Sequence, residues 1–532
     1  MLTTLYDFLF KKKKKKKITK HFSSNLGRAI TSVDTAKSEL YHEPHKYNPK
    51  KNIGDDEKEF FGMYRNDEDN YEGMYIPKFA INHRLYCGYT RSGKGIIIGN
   101  KIIEVLQDEK KGMIYIDVKQ EDFTPQIILE ELQRQDREDD LLIVNYPHDF
   151  GYSGFNKDDT VIQIWEKISV ALDLEKSNDP AVEHYKSNQR MTLLKILNVI
   201  YNGEDNPRDW YFLMEYIRCL SEDLKNYKQL QEELQKQKHN QNRIDKLSEM
   251  YFTIELIEKL EFNAKNTAAL EIIYIKIFEL LLEGNIHSLH TVKEALYNGK
   301  ILYIKGDMEN SSSLQMIKIL FTDISQVVRK EKGKGRIANC EVFADEVSFY
   351  ATRKLAGMLS TMAGFGVKFS LLLQDISQLE DDFIKNSILS NCTVKLFYKI
   401  SDETTLNYVK LLGGEEIVTK YSKRNLEDTF AQELEPLLNT TRIRAMWFQQ
   451  HAILIAEYLN TAYFVETDFV KVKKVFDWST IDDAQKREPF KREKKKINIY
   501  KNEQAGDVDI TNIDEEIINI LANHDDNSIS DF

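Results

Sequence analysis

Short apolar runs alternate with helical patterns through two stretches of the chain, and a purely helical stretch lies between them. The runs Leu85-Tyr86-Cys87, Ile301-Leu302-Tyr303-Ile304, Cys340-Glu341-Val342-Phe343-Ala344 and Val367–Leu373 have the length and composition of buried strands. A helix is predicted from Ile96-Ile97-Ile98 onward, and another over about 314–330. Strands alternating with helices predict a mostly parallel α/β sheet covered on both faces. Between about 160 and 295 proline and glycine nearly vanish. Helical periodicity then covers Met191–Leu197 and Ala268–Leu282, and an amphipathic stretch from Ser221 to Phe262 predicts a helical hairpin. Residues 21 to about 70 are polar and aperiodic, which predicts a linker with some helix, order beginning near Tyr75-Ile76-Pro77.

The first strand runs into Gly88-Tyr89-Thr90-Arg91-Ser92-Gly93-Lys94-Gly95 and then into a helix. Strand, glycine-rich loop and helix form the context of a P-loop. Backbone N–H groups of such a loop wrap phosphates, the helix N-terminus adds a favourable dipole, and the lysine reaches the β/γ-phosphates. Gly88, Thr90, Arg91, Ser92, Gly93, Lys94 and Gly95 are therefore the candidate nucleotide-binding residues. Gly95 occupies the place where a Ser or Thr hydroxyl usually holds Mg²⁺. ATP and Mg²⁺ are the expected cofactors.

The strand Cys340–Ala344 ends in Asp345-Glu346. A P-loop NTPase needs such an end: Asp345 as the Mg²⁺ carboxylate, Glu346 to polarise the attacking water. The strand Val367–Leu373 runs into Gln374, which is either a γ-phosphate sensor or a turn-forming amide. Lys94, Asp345, Glu346 and Gln374 are the candidate catalytic set.

These residues resemble the type IV coupling proteins, the TraD/TraG class of RecA-like motor ATPases of conjugation and type IV secretion. Thr90-Arg91-Ser92-Gly93-Lys94-Gly95 matches the family's loop, glycine after lysine included. Ile116-Asp117-Val118-Lys119-Gln120-Glu121 resembles its Asp-x-Lys-x-Glu strand end, and Phe343–Glu346 its Walker B strand. Met362–Lys368 leading to Gln374 and Ser377-Gln378-Leu379 resembles its sensor strand. Asn391-Cys392 and Asp402-Glu403-Thr404 resemble the strand and helix that follow. The resemblance implies a RecA-like P-loop domain of mostly parallel sheet with an inserted all-α domain, flexible termini and a homo-hexameric ring. It also implies recruitment of relaxase-bound DNA to a secretion channel; the alternatives are protein effectors as cargo, or a platform that binds nucleotide without hydrolysis. Ala363 stands where many members carry a candidate arginine finger, which leaves the trans-acting cation unassigned; Arg353, Lys368 and Arg424 are the candidates to replace it.

The expected organisation is a basic/polar segment over 1–70, nucleotide-binding parts over 71–160 and 296–478, an all-α domain over 161–295, and a basic linker with an acidic tail over 479–532. At 532 residues the chain has length for two or three domains, and 42% hydrophobic with 30% charged residues is an ordinary globular composition. The formal net charge of −11 argues against a surface that binds nucleic acid everywhere. From Lys501 onward nine acids stand against one lysine, so most of that charge belongs to the tail. There Ile510, Ile513, Ile517, Ile518, Ile520 and Leu521 form an apolar helical stripe, and Asp525, Asp526, Asp531 and Phe532 are a candidate hook for a DNA-bound relaxosome protein. The alternative is a solubilising tail.

No apolar run reaches spanning length. Met1–Phe10 followed by seven lysines, Lys11–Lys17, is either a membrane-surface segment or a solvated basic tail. The expectation is a cytoplasmic protein held at the inner membrane's cytoplasmic face through an anchoring partner. Cys87, Cys219, Cys340 and Cys392 are expected as free thiols, Cys87 open to alkylation beside the loop.

Overall fold

The computed structural model describes residues 44–473, apart from 54–56, 67, 69, 121–122, 146–150, 178, 202–205, 236–249, 251, 253, 261, 283–285, 287–289, 425–426, 445, 447 and 460. The lysine run, the basic linker, the apolar stripe of the acidic tail and the hook residues lie outside them, as does the turn of the hairpin expected over 221–262. The chain divides into two compact units. One contains the described residues up to Gly154 and those after Ser288; the other contains those between Phe155 and His287.

The first unit is an α/β domain. Its strands are β1 (Lys58–Arg65), β2 (Tyr71–Pro77), β3 (Arg84–Cys87), β4 (Gly112–Asp117), β5 (Leu141–Asn145), β6 (Ile301–Lys305), β7 (Cys340–Ala344), β8 (Val367–Leu373), β9 (Val394–Phe397), β10 (Glu415–Arg424), β11 (Glu427–Pro436), β12 (His451–Ala456) and β13 (Tyr463–Glu466). Eleven form one sheet in the order β2-β1-β13-β12-β9-β3-β8-β7-β4-β6-β5, and β10 pairs with β11 in a separate ribbon. From β9 to β5 every neighbouring pair is parallel, whereas β12, β13, β1 and β2 extend the sheet antiparallel. The central strands are buried throughout, so their sequences read as continuous apolar runs and not as an alternation. This is the mostly parallel P-loop α/β architecture expected, with a helical region inserted.

β1 departs from the expected linker. Phe60 and Phe61 are both buried, so the strand lacks a polar face. Gly62, at φ +110°, accompanies a bulge between Phe60 and Met63 that breaks the period-two pattern.

The second unit is helical: Val161–Ala171, Pro180–Tyr201, Trp210–Gln235, Ile254–Lys259 and Ala264–Leu282. A Thr160/Gln163 capping box starts the first helix. Leu193, Ile196, Leu197, Trp210, Ile217, Ile273 and Ile277 fill its interior. Among the described residues no helix is long and apolar enough to cross a membrane.

Candidate nucleotide site

Because β9, β3, β8, β7 and β4 are parallel, their carboxyl ends lie along one edge of the sheet, where an open α/β sheet binds ligands. The glycine-rich loop leaves β3, between β9 and β8 in this row. Its start is pinned by Gly88 N–H donating to Leu373 O at 3.2 Å, and Ser92 N–H turns back to Tyr89 O at 3.1 Å. Gly93 then caps the helix Lys94–Leu106 at φ +113°. A β-carbon on Gly93 would lie 1.7 Å from the Gln449 carbonyl oxygen, so glycine is required by backbone angle and by space. Gly95 is different: a β-carbon there meets nothing within 4 Å, so packing does not impose the missing hydroxyl.

Lys94 is buried, and its ammonium donates to the carbonyls of Gly88 and, at 3.4 Å, Tyr89. Burial pulls its pKa below the usual lysine range, against the opposing pull of the Glu346 carboxylate. The buried Ser92 hydroxyl has no hydrogen-bond partner in the fold. An ammonium folded onto its own loop and an orphaned hydroxyl beside a helix N-terminus suit a bound phosphate.

The acids come from the next strands. Ile116 and Ala344 are register partners, so Asp117 at the end of β4 and Asp345 just after β7 lie side by side, and Asp345 N–H donates to Ile116 O at 3.1 Å. Glu346 is fully buried and adopts the left-handed region at φ +48°. One of its carboxylate oxygens accepts from the Lys119 ammonium, the other from Gln374 Nε2 at 3.2 Å. The fold thus brings Lys94, Asp345, Glu346 and Gln374 to one edge. Two acids with a phosphate-binding loop suit Mg²⁺, which commonly takes one or two carboxylates and completes its shell with phosphates and water.

Lys119, to which the sequence reading gave no role, lies at the centre. Its ammonium is also 4.0 Å from Asp345 Oδ2. Asp117 Oδ1 accepts the N–H groups of Lys119 and Gln120 at 2.9 and 2.8 Å, and Tyr303 donates to Asp117 Oδ2 at 2.5 Å. The signal was the Asp-x-Lys spacing at a strand end; what it lacked was a partner, since Glu346 is 227 residues away.

Other expectations change. Cys87 is wholly buried and burial pushes its thiol pKa up, so it is neither exposed nor activated for alkylation. Lys368 lies near the start of β8, at the opposite end of the sheet from Gln374, and donates to the Lys78 carbonyl at 2.8 Å. Burial lowers it to about 8. Arg353 is committed to Asp381 at 2.8 Å. The Arg424 side chain lies outside the described residues.

The family described as the TraM recognition site of TraD and TraG matches residues 339–447, which include β7, Asp345, Glu346 and Gln374. No curated protein matches the chain. Among solved structures, the unbound monoclinic form of the bacterial conjugative coupling protein TrwBdeltaN70 matches at TM-score 0.52 and 16% identity, covering 76% of this chain and 88% of that one. Its trigonal form in complex with sulphate matches at 0.53 and 16%, covering 84% and 95%. TrwB in complex with the non-hydrolysable ATP analogue ADPNP matches at 0.50 and 16%, covering 76% and 89%. At that identity the likeness is one of fold: this chain shares the P-loop α/β fold of the structures of the conjugative coupling protein TrwB, and part of it matches a TraD/TraG sequence family.

Proposed function

We propose that the chain is a Mg²⁺-dependent coupling ATPase that recruits relaxase-bound DNA to a type IV secretion channel and drives conjugative transfer. The observation that carries this is the meeting of Lys94, Asp345, Glu346 and Gln374 at the carboxyl edge of the sheet, within a fold shared with a conjugative coupling protein. When bound, Mg·ATP supplies the phosphoanhydride whose hydrolysis releases the working free energy. The loop N–H groups and Lys94 bind its phosphates, and Asp345 holds the metal. Glu346 orients and deprotonates water, and Gln374 reads the terminal phosphate. The active form is a homo-hexamer at the cytoplasmic face of the inner membrane, held there by an anchoring partner. The matched family is named for TraM recognition and spans 339–447; the acidic hook Asp525, Asp526, Asp531 and Phe532 is a second contact with relaxosome proteins beyond it.

The test is ATP turnover of the purified chain with and without single- and double-stranded DNA, beside Glu346→Gln. We expect stimulation by DNA, and a loss of at least about a hundredfold in the variant. Turnover indifferent to DNA counts against a DNA motor, and equal turnover in the variant removes Glu346 from the chemistry.

A further inference from the structure

Glu346 is held in a way that does not suit a group about to activate water. Both carboxylate oxygens are engaged, one by Lys119 and one by Gln374. The carboxylate is wholly buried, so these partners compensate a charge that would otherwise be costly to desolvate. Lys119 differs from Glu346 in exposure. Its backbone is clamped by the Asp117 carboxylate, itself fixed by Tyr303, and Gln120 locks the turn at φ +58° while donating to Gly306 O at 3.1 Å. Its side chain keeps 17% exposure, so the ammonium end reaches the site while the turn stays fixed. Lysine also reorients a point charge about a four-carbon stem with little change in backbone.

We propose that Lys119 is a latch on Glu346 that responds to the terminal phosphate of a bound nucleoside triphosphate. Without that phosphate Lys119 and Gln374 hold the carboxylate. With it, Lys119 exchanges a singly charged partner for a more highly charged one, and Glu346 is released toward water. A diphosphate offers no such exchange and leaves Glu346 held. Lys119 therefore positions the base and separates triphosphate from diphosphate. The latch rests on the nucleotide site proposed above.

The experiment uses the full chain with Mg²⁺ and measures equilibrium binding of a fluorescent non-hydrolysable ATP analogue and of the matching ADP. Lys119→Met should shift the ratio of the two dissociation constants toward one by about tenfold, since a charge-assisted contact specific to the triphosphate is lost. Lys119→Arg should keep most of the ratio. Glu346→Gln should tighten the triphosphate alone, because the latch no longer holds Lys119, and that gain should shrink when combined with Lys119→Met. A wild-type ratio in Lys119→Met, or a Glu346→Gln gain of the same size in both backgrounds, overturns the latch. If Lys119→Met does not fold by thermal denaturation, Glu346→Gln decides alone: no tightening overturns it. A wild-type chain that binds neither nucleotide is a separate result, removing the nucleotide site and the latch with it.

Discussion

His83 shows how two hydrogen bonds set a single side chain's chemistry. The Phe369 N–H donates to Nδ1 at 3.0 Å and Nε2 faces the Leu359 carbonyl at 2.7 Å, so these partners assign the neutral tautomer with its proton on Nε2. A second proton would have to enter at Nδ1, against an N–H donor. Burial, the larger influence, lowers the pKa to about 4. The unfolded chain takes up that proton below roughly pH 6.5, while the folded chain refuses it until about 4. Stability from this site is therefore complete above about 6.5 and is lost as pH falls toward 4, up to roughly 3 kcal/mol. Urea unfolding at pH 7.5 and pH 4.5 should show a larger drop in the wild type than in His83→Gln; equal drops would remove His83 from the acid response.

At the scale of elements, the amino ends of the strands are joined by charge. Arg84 at the start of β3 pairs with Glu59 on β1 and Glu341 on β7, and all three are buried. Lys101, on the helix that follows the glycine-rich loop, reaches Glu104 at 2.9 Å and Glu59 at 3.4 Å, and Lys111 reaches Glu341 at 3.3 Å. Lys101 also lies 3.7 Å above the Phe61 ring. Burial would raise the Glu59 pKa, but Arg84 and Lys101 overcome it and hold the carboxyl below its usual range. Removing the shared cation leaves two carboxylates buried together. Arg84→Met should therefore cost about 3–5 kcal/mol in denaturant unfolding; a loss below about 1 kcal/mol would mean the remaining lysines suffice. β1, which completes this network, was not legible in the sequence, because the bulge at Gly62 and two adjacent buried phenylalanines erase its alternation. The parallel strands β3, β6, β7 and β8 were legible because burial on both faces leaves an uninterrupted apolar run between turn residues, whereas β5 was not read from the sequence. β8 spans Val367–Leu373 as expected.

At the scale of the molecule, the proposed work depends on parts with separate tasks: an edge of the sheet that handles nucleotide, a helical unit, and an acidic tail that contacts partners. If the tail is the hook, deleting 527–532 should weaken pull-down of a relaxosome protein while leaving ATP turnover unchanged. Undiminished pull-down would assign recognition to another surface.

The sequence by itself determined the loop, the strand ends that carry Asp345, Glu346 and Gln374, and the α/β class. Each of these is written in local pattern: glycine spacing, apolar run length, a polar residue at the end of a run. It did not contain the partnership of Lys119 with Glu346 or the burial of Cys87. Those follow from strand order, which brings β4 beside β7 and β8 beside β3 across long separations in the chain. Parallel pairing then sets the carboxyl ends of these strands on one side, so the lysine of the Asp-x-Lys strand end comes to hold the acid expected to activate water.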